Sequence, residues 1–315
     1  MTNETILITG ACGQLGTELA EALRKIHKRV IATDLKEAVP ALGDTEFRKL
    51  DVLQPQELAN LIRSENVTQV YHLAAILSAT GEQKPDLAWN INTNGLRNVL
   101  EVCTNLKVKR VFFPSSIAVF GNSTPNINTP QYTAIEPNTV YGIAKQAGEQ
   151  WCQWYFKNKG LDVRSVRYPG LISYKTQAGG GTTDYAVEIF YDAVAGNTYK
   201  CFLKEDTVLP MMYMPDAVNA TLQLMEAPTE SLSVRTSYNL AGFSFAPKDI
   251  VAEIQKHLPE FKTIYEPDFR QQIAESWPQS IDDTYAQKDW NWQPKFNLDK
   301  TVADMLQHIK VPHSI

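Results

Sequence analysis

Residues 5–23 read TILITGACGQLGTELAEAL, and how this stretch is read decides the fold. TILIT is a short apolar and β-branched run, the pattern of a strand buried on both faces. QLGTELAEAL carries apolar residues at helical spacing. Between them Gly10, Gly13 and Gly16 form G-x-x-G-x-x-G, with Gln14 and Leu15 enclosed. Glycines at such a strand–turn–helix junction permit a tight turn, let a pyrophosphate touch backbone, and let the helix pack on the sheet. The helix N-terminus then faces the negative charge. Three spaced glycines recur by chance, so the flanking strand and helix patterns carry the argument.

The same alternation continues outward. Strand-like runs are KRVIATD, TEFRKLDV, TQVYHLAA, KRVFFPSS and LDVRSVRYPG. Helical patterns lie between them: QPQELANLIRSE, the stretch from Pro85 to Leu106, and NTVYGIAKQAGEQWCQWYFKNKG. Alternating strands and helices argue for an α/β fold, a Rossmann-like doubly wound parallel sheet. After Gly170 the regularity ends, and loops, short strands and scattered helices follow. The expected division is a dinucleotide-binding domain over 1–170, with returns to the sheet near 211–226 and 236–242. A smaller, mostly C-terminal substrate lobe over 171–315 intertwines with it. No Pro/Ser-rich linker separates them.

Composition narrows the function. The 315 residues are 43 % hydrophobic, enough for a sizeable core. The net charge of −5 is unclustered and there is no basic run, which argues against nucleic acid. Cys12, Cys103, Cys152 and Cys201 are far apart, with no CxxC and no Cys/His cluster. That pattern gives no metal site and fits reduced thiols in a cytoplasmic protein. No apolar run reaches membrane-spanning length, and no signal or transit peptide is visible.

Asp34 ends the second strand, 18 residues after Gly16. A carboxylate there accepts hydrogen bonds from ribose hydroxyls and repels a 2′-phosphate, so NAD is expected over NADP. The competing reading is a helix N-cap in DLKE. Asp51 and Val52 follow the third strand, where an acidic residue can meet the adenine amino group. HLAA places Leu73, Ala74 and Ala75 after His72, small residues that suit a chain passing close to the cofactor. His72 itself reads as a packed strand histidine.

Tyr141 and Lys145 stand at i, i+4 in VYGIAKQAGEQW and share a helix face. An ammonium beside a phenol stabilises its phenolate, so Tyr141 is expected to have a lowered pKa and to act as a general base. Lys145 can also bond the nicotinamide ribose. Ser116, 25 residues before Tyr141, can share the substrate hydroxyl, whereas Ser115 can serve merely to satisfy backbone. Any one of these alone is an ordinary strand-end Ser, packed Tyr or surface Lys. Their order behind a glycine turn is what points to a site.

GACGQLG, HLAA, INTNGLRNVL, PSSIAVFG, VYGIAK and RYPG together resemble the extended short-chain dehydrogenase/reductases, which include sugar-nucleotide epimerases and dehydratases. By that resemblance Asn92 helps order the site, and Tyr168 to Leu171 pass beside the nicotinamide. The sugar-nucleotide enzymes of that group carry an arginine that clamps a diphosphate. The matching position here is Leu209, followed by Pro210, and RYPGLIS lacks their asparagine. RYPGLISYKTQAGGGTTDYAVEIFY and MPDAVNATLQLMEAP resemble the short-chain-type L-threonine 3-dehydrogenases instead. The resemblance implies NAD-dependent oxidation of L-threonine at Cβ to 2-amino-3-ketobutyrate.

The loop GGGTTD then gains a purpose. Gly179 to Gly181, Gly180 central among them, can offer backbone N–H groups to a substrate carboxylate. Thr182 and Thr183 offer hydroxyls. Asp184 can pair with the substrate ammonium or merely stabilise the helix that follows. The family pattern turns Ser78 into the same pocket, and Trp277 can wall it. Two other readings stand: a sugar-nucleotide epimerase or dehydratase, and a non-catalytic NAD-binding sensor, which would be expected to lack Tyr141 or Lys145. Trp151, Trp154, Tyr155 and Phe156 extend an apolar face along the Tyr141 helix. In the family the corresponding helices pair into a four-helix bundle, so a homodimer is expected.

Overall fold

A computed structural model describes residues 4–26, 28–175 and 179–309. The Thr176–Ala178 part of the glycine-rich stretch lies outside the described residues. The strands are β1 (Thr5–Thr9), β2 (Arg29–Asp34), β3 (Glu46–Lys49), β4 (Gln69–His72), β5 (Arg110–Ser116), β6 (Asp162–Tyr168), β7 (Gly170–Ile172), β8 (Thr198–Cys201), β9 (Leu209–Tyr213), β10 (Tyr238–Asn239), β11 (Phe243–Phe245) and β12 (Lys262–Tyr265). Seven of them form a wholly parallel sheet in the order β10-β6-β5-β4-β1-β2-β3. The chain reverses direction across the sheet between β1 and β4. That crevice, at the carboxyl ends of the strands, is where open α/β sheets bind ligands.

The helices are α1 (Gln14–Lys25), α2 (Pro55–Ser64), α3 (Ser78–Gln83), α4 (Pro85–Trp89), α5 (Leu96–Asn105), α6 (Val140–Lys159), α7 (Tyr185–Ala195), α8 (Met214–Glu226), α9 (Pro247–Gln255), α10 (Arg270–Glu275), α11 (Thr284–Trp290) and α12 (Leu298–His308). Every residue of β1 is buried, as its apolar run requires. Leu19, Ala20 and Leu23 bury one side of α1 against the sheet. On the opposite face of the sheet, α2, α5 and α6 close a second core around Leu58, Val99 and Cys152.

Three sequence expectations change. β3 is the edge strand and its residues are half-buried or exposed, because no strand lies beyond it. The stretch from Pro85 to Leu106 is not one helix. A π-helical turn over Asn90–Gly95 interrupts it, and α3, unforeseen, precedes it. The return near 211–226 is made by a helix. α8 packs its Ala217, Ala220 and Leu224 in the core shared by α1 and β6, while β9 belongs to a separate three-stranded sheet with β7 and β11. β10 does join the main sheet, beside β6.

The C-terminal half builds a third core from α7, α9, α12 and the small sheets. Its elements do not all stay there. Trp290 and Trp292 cross to the core of α1, α8 and β10, and the Trp292 ring N–H donates to Asp283 Oδ2 at 2.9 Å.

Candidate active site

The glycine turn is built for close approach. Gly10 has φ +69°, and a Cβ there would lie 2.5 Å from the Ala74 nitrogen. The turn and the HLAA segment are therefore in backbone contact, and Leu73 N–H donates to Thr9 O. A Cβ on Gly16 would lie 2.7 Å from Ala11. Gly13, the N-cap of α1, is different: a Cβ there would meet only Gly10 O, at 3.4 Å. The protein's own packing does not demand a glycine at 13, so the space it leaves suits a ligand lying on the turn. A helix N-terminus with its dipole, as at the start of α1, suits a pyrophosphate.

Asp34 stands at the end of β2, with its Oδ2 accepting from Cys12 N–H at 3.1 Å and Oδ1 from Lys36 N–H at 3.0 Å. It caps no helix; the next helical turn begins at Pro40 behind Val39. Asp51 Oδ1 accepts from Leu53 N–H, and Asn98 donates to Val52 O. His72 is buried, bonded to Thr9 Oγ1 at 2.8 Å, and burial drives its pKa down to about 3. It is a neutral packing residue. Asn92, on the π-helical turn, pairs both ways with the Ile76 backbone, at 2.8 and 2.9 Å. It thus fixes the chain that leaves β4, between Ala75 and Ser78.

α6 is set on the end of β5 by contact and capping. Thr139 Oγ1 accepts from Gly142 N–H, and Glu82 of α3 accepts from Val140 N–H. A Cβ on Gly142 would lie 2.1 Å from Ala118 O, and one on Gly148 would lie 2.5 Å from the Phe113 ring. Only glycines allow this helix so close to the Ser116 turn. Ser116 Oγ accepts from Ala118 N–H at 3.2 Å and lies beside the Tyr141 hydroxyl, whose pKa it lowers. Lys145, 4 % exposed, donates to Pro114 O at 2.6 Å and has its ammonium 5.4 Å from the centre of the Tyr141 ring.

The electrostatics differ from the expected lowering of Tyr141. Burial pushes its phenol up to about 12, against Ser116, which lowers it. Burial also brings Lys145 down to about 7, against Cys152 and Glu149, which raise it.

The glycine-rich loop that precedes α7 meets this site from the other side. Gly81 of α3 faces Tyr141, a Cβ there lying 4.0 Å from the Tyr141 Cβ. From the same helix Ser78 Oγ shares a hydrogen bond with Thr182 Oγ1, at 3.2 Å across 104 residues of chain. Gly180, at φ +89°, stands against Thr80, and Thr183 against Gly170. The Gly180 and Gly181 N–H groups are not turned outward as expected. Asp184 Oδ2 accepts from Gly180 N–H at 2.8 Å and from Gly181 N–H at 2.7 Å. Those glycine donors and the Asp184 carboxylate satisfy each other, because a buried carboxylate needs donors and these are its neighbours. Burial raises the Asp184 pKa, with the two glycine N–H bonds opposing.

Of the remaining positions, Tyr168 and Leu171 are located and Ser115 is corrected. The Tyr168 hydroxyl is turned into the core and bonded to Thr221 of α8, so only its main chain is left to face a cofactor. Leu171, half-buried, packs at the edge of the same core. Ser115 bonds a side chain rather than backbone: its Oγ donates to Glu149 Oε1 at 2.6 Å. Trp277 is buried, and its neighbour Ser276 donates to Asn138 beside the α6 cap. The buried Glu149–Arg167 pair went unread in the sequence, although Glu149 follows Lys145 at helical spacing. No cluster of three or more potential metal ligands occurs among the described residues.

The sequence matches the NAD dependent epimerase/dehydratase family over residues 6–241. An uncharacterized epimerase/dehydratase of Staphylococcus haemolyticus is 46 % identical over 98 % of both chains. The holo form of a GalE-like L-threonine dehydrogenase from Cupriavidus necator is 55 % identical, with TM-score 0.95, covering 97 % of this chain and 100 % of that one. A monomeric L-threonine 3-dehydrogenase from a metagenome, in its apo form, is 48 % identical with TM-score 0.93, covering 96 % and 97 %. The glycine turn, the open cradle at Gly13 and Asp34 fit the cofactor in the family's description. The chain belongs to the NAD dependent epimerase/dehydratase family.

Proposed function

We propose that this chain oxidises L-threonine at Cβ to 2-amino-3-ketobutyrate, with NAD as cofactor. One observation carries the reading. The loop bearing Thr182 is tied to α3 at Ser78, and α3 lies against Tyr141 at Gly81, so the loop is anchored to the helix beside the Tyr141–Ser116 pair. The likeness to proteins described as L-threonine dehydrogenases, across nearly the whole chain, supports it. A sugar nucleotide fits less well: Leu209 and Pro210 are buried in β9, where an arginine clamp would be required.

When bound, NAD supplies the hydride acceptor and an added positive charge near Tyr141. Gly10, Gly13, Gln14, Leu15 and Gly16 would hold its pyrophosphate, Asp34 its ribose, and Asp51 and Val52 its adenine. Leu73, Ala74, Ala75, Asn92 and the Tyr168–Leu171 backbone would line its path. Tyr141 as phenolate takes the β-hydroxyl proton. Ser116 orients that hydroxyl and donates to the oxygen as it becomes a carbonyl. Lys145 stabilises the phenolate. Ser78, Thr182 and Thr183 offer donors to the substrate carboxylate. Gly180 and Asp184 take part once the loop rearranges, since here they bond each other.

The test is NADH formation with purified protein and NAD, comparing L-threonine, L-allo-threonine, L-serine and UDP-galactose. Threonine-dependent turnover is expected, with Tyr141→Phe slower by about 10²–10⁴-fold. Turnover of UDP-galactose alone would reassign the substrate. Tight NAD binding without turnover of any of them would favour a sensor.

The reading includes a homodimer. Leu87 and Trp89 of α4 and Ile143 and Trp154 of α6 are 42–44 % exposed. Ile143 and Trp154 fall on one side of α6, and apolar stripes of this kind mark contact surfaces. The free thiols fit a reducing compartment such as the cytoplasm.

A further inference from the structure

Three polar side chains lie in one row across the sheet, directly beneath α6. Ser115 of β5 is the register partner of Arg167 of β6, and Arg167 of Asn239 of β10. Glu149 of α6 closes the row from above. Its Oε1 accepts from Ser115 Oγ at 2.6 Å and from Arg167 Nε at 2.9 Å, and its Oε2 from Arg167 Nη2 at 2.7 Å. Arg167 Nη1 donates to Gln131 O and Asn239 Oδ1. All five residues are at most 2 % exposed.

A buried ion pair of this kind is a weak source of stability, since apolar residues of similar volume often serve as well. Its position suggests another use. Lys145 and Glu149 are i, i+4 on one helix, the spacing at which Lys and Glu pair. In a buried site that attraction is strong. Yet Lys145 does not bond Glu149. Its ammonium donates to Pro114 O and stands beside the Phe113 and Tyr141 rings, at 4.7 and 5.4 Å. Glu149 is already occupied from the sheet side by three hydrogen bonds.

We propose that Arg167, assisted by Ser115, is a positioning residue that holds the Glu149 carboxylate away from Lys145 and so reserves the Lys145 ammonium for Tyr141. The inference rests on Tyr141 acting as the base. Arg167 touches neither substrate nor cofactor in this role; it acts through Glu149.

The test compares the parent protein with Arg167→Met and with Arg167→Met/Glu149→Gln, all with NAD bound. In crystal structures, Arg167→Met is expected to bring Lys145 Nζ onto Glu149, and the double variant to leave it on Pro114 O. With threonine, Arg167→Met is expected to lower kcat about 10- to 100-fold at little changed KM. The primary isotope effect with threonine deuterated at Cβ should rise, which partial unfolding would not produce. The double variant should regain most of kcat. Ser115→Ala, which leaves no unpaired charge, gives the same changes in smaller measure and serves if Arg167→Met does not fold. Lys145 unmoved, with kcat per folded enzyme unchanged, would overturn the proposal. Capture of Lys145 without threonine turnover by the parent would support it and refute the substrate assignment instead.

Discussion

Lys145 keeps its amino group at a point where its residue is 4 % exposed, and burial brings its pKa from 10.5 to about 7. Between those values the unfolded chain binds the extra proton, so this residue's contribution to stability rises with pH from about 7 upward. Below pH 7 the folded protein carries the full penalty of a buried ammonium. In Lys145→Met that dependence is gone. The parent's melting temperature is therefore expected to gain on the variant's as pH rises from 6 to 9; a constant difference would show that Lys145 does not titrate there. Tyr141 argues in the same direction for activity. Its phenol is held up to about 12 by burial. The base form is scarce at neutral pH, so kcat/KM is expected to rise with pH above 7, and a flat profile would exclude Tyr141 as the base. The i, i+4 spacing of this pair was legible in the sequence. The burial that sets both protonation states was not, because it comes from β5 and α3 packed against α6.

The glycines of the first turn differ in what they do, although they look alike in GACGQLG. Gly10 and Gly16 have backbone within 2.7 Å of a Cβ position, whereas Gly13 has none within 3.4 Å. Gly16→Ala should destabilise the protein by about 1–3 kcal/mol through overpacking. Gly13→Ala should leave the melting temperature without NAD nearly unchanged and weaken NAD binding. Calorimetric melting with and without NAD checks both, and equal damage at the two positions would remove the distinction. At the other end of the site, α6 can reach the Ser116 turn only because residue 142 has no side chain. Gly142→Ala is expected to lower kcat by about tenfold or more, with Tyr141 displaced from Ser116. The helix over VYGIAK and the strand over KRVFFPSS were readable from pattern. The π-helical turn that aims Asn92 at Ile76 was not, since nothing in INTNGLRNVL breaks a helical periodicity.

At the scale of the molecule, the two halves share their cores. Lys175, ahead of the glycine loop, pairs with Glu18 and Glu21 of α1, and Ser173 donates to Glu18 at 2.9 Å. The segment entering the glycine-rich loop is thus tied to the helix of the first glycine turn. On the outside, the apolar stripe of Ile143 and Trp154 on α6 leads us to expect a dimer. Sedimentation velocity should find twice the 35.4 kDa of one chain, with Trp154→Glu reverting to a single chain. A parent that sediments as one chain, like the relative described as monomeric, would refute it.

The fold was determined locally enough to be read from the sequence. Apolar runs with a period suited to buried strands, and three glycines between a strand and a helix, leave few other arrangements. So were Ser116, Tyr141 and Lys145, because helical spacing and strand ends fix which residues come together. The partners of buried polar groups were decided only in the tertiary structure. Arg167, in a run read as a buried strand, finds its carboxylate on α6; Ser115 reads as a backbone tether and bonds Glu149; Asp184 reads as a substrate ligand or a helix stabiliser and holds the glycines of its own loop. A buried charge takes whichever donors the packed chain places within reach, and that choice spans tens of residues that sequence periodicity does not connect.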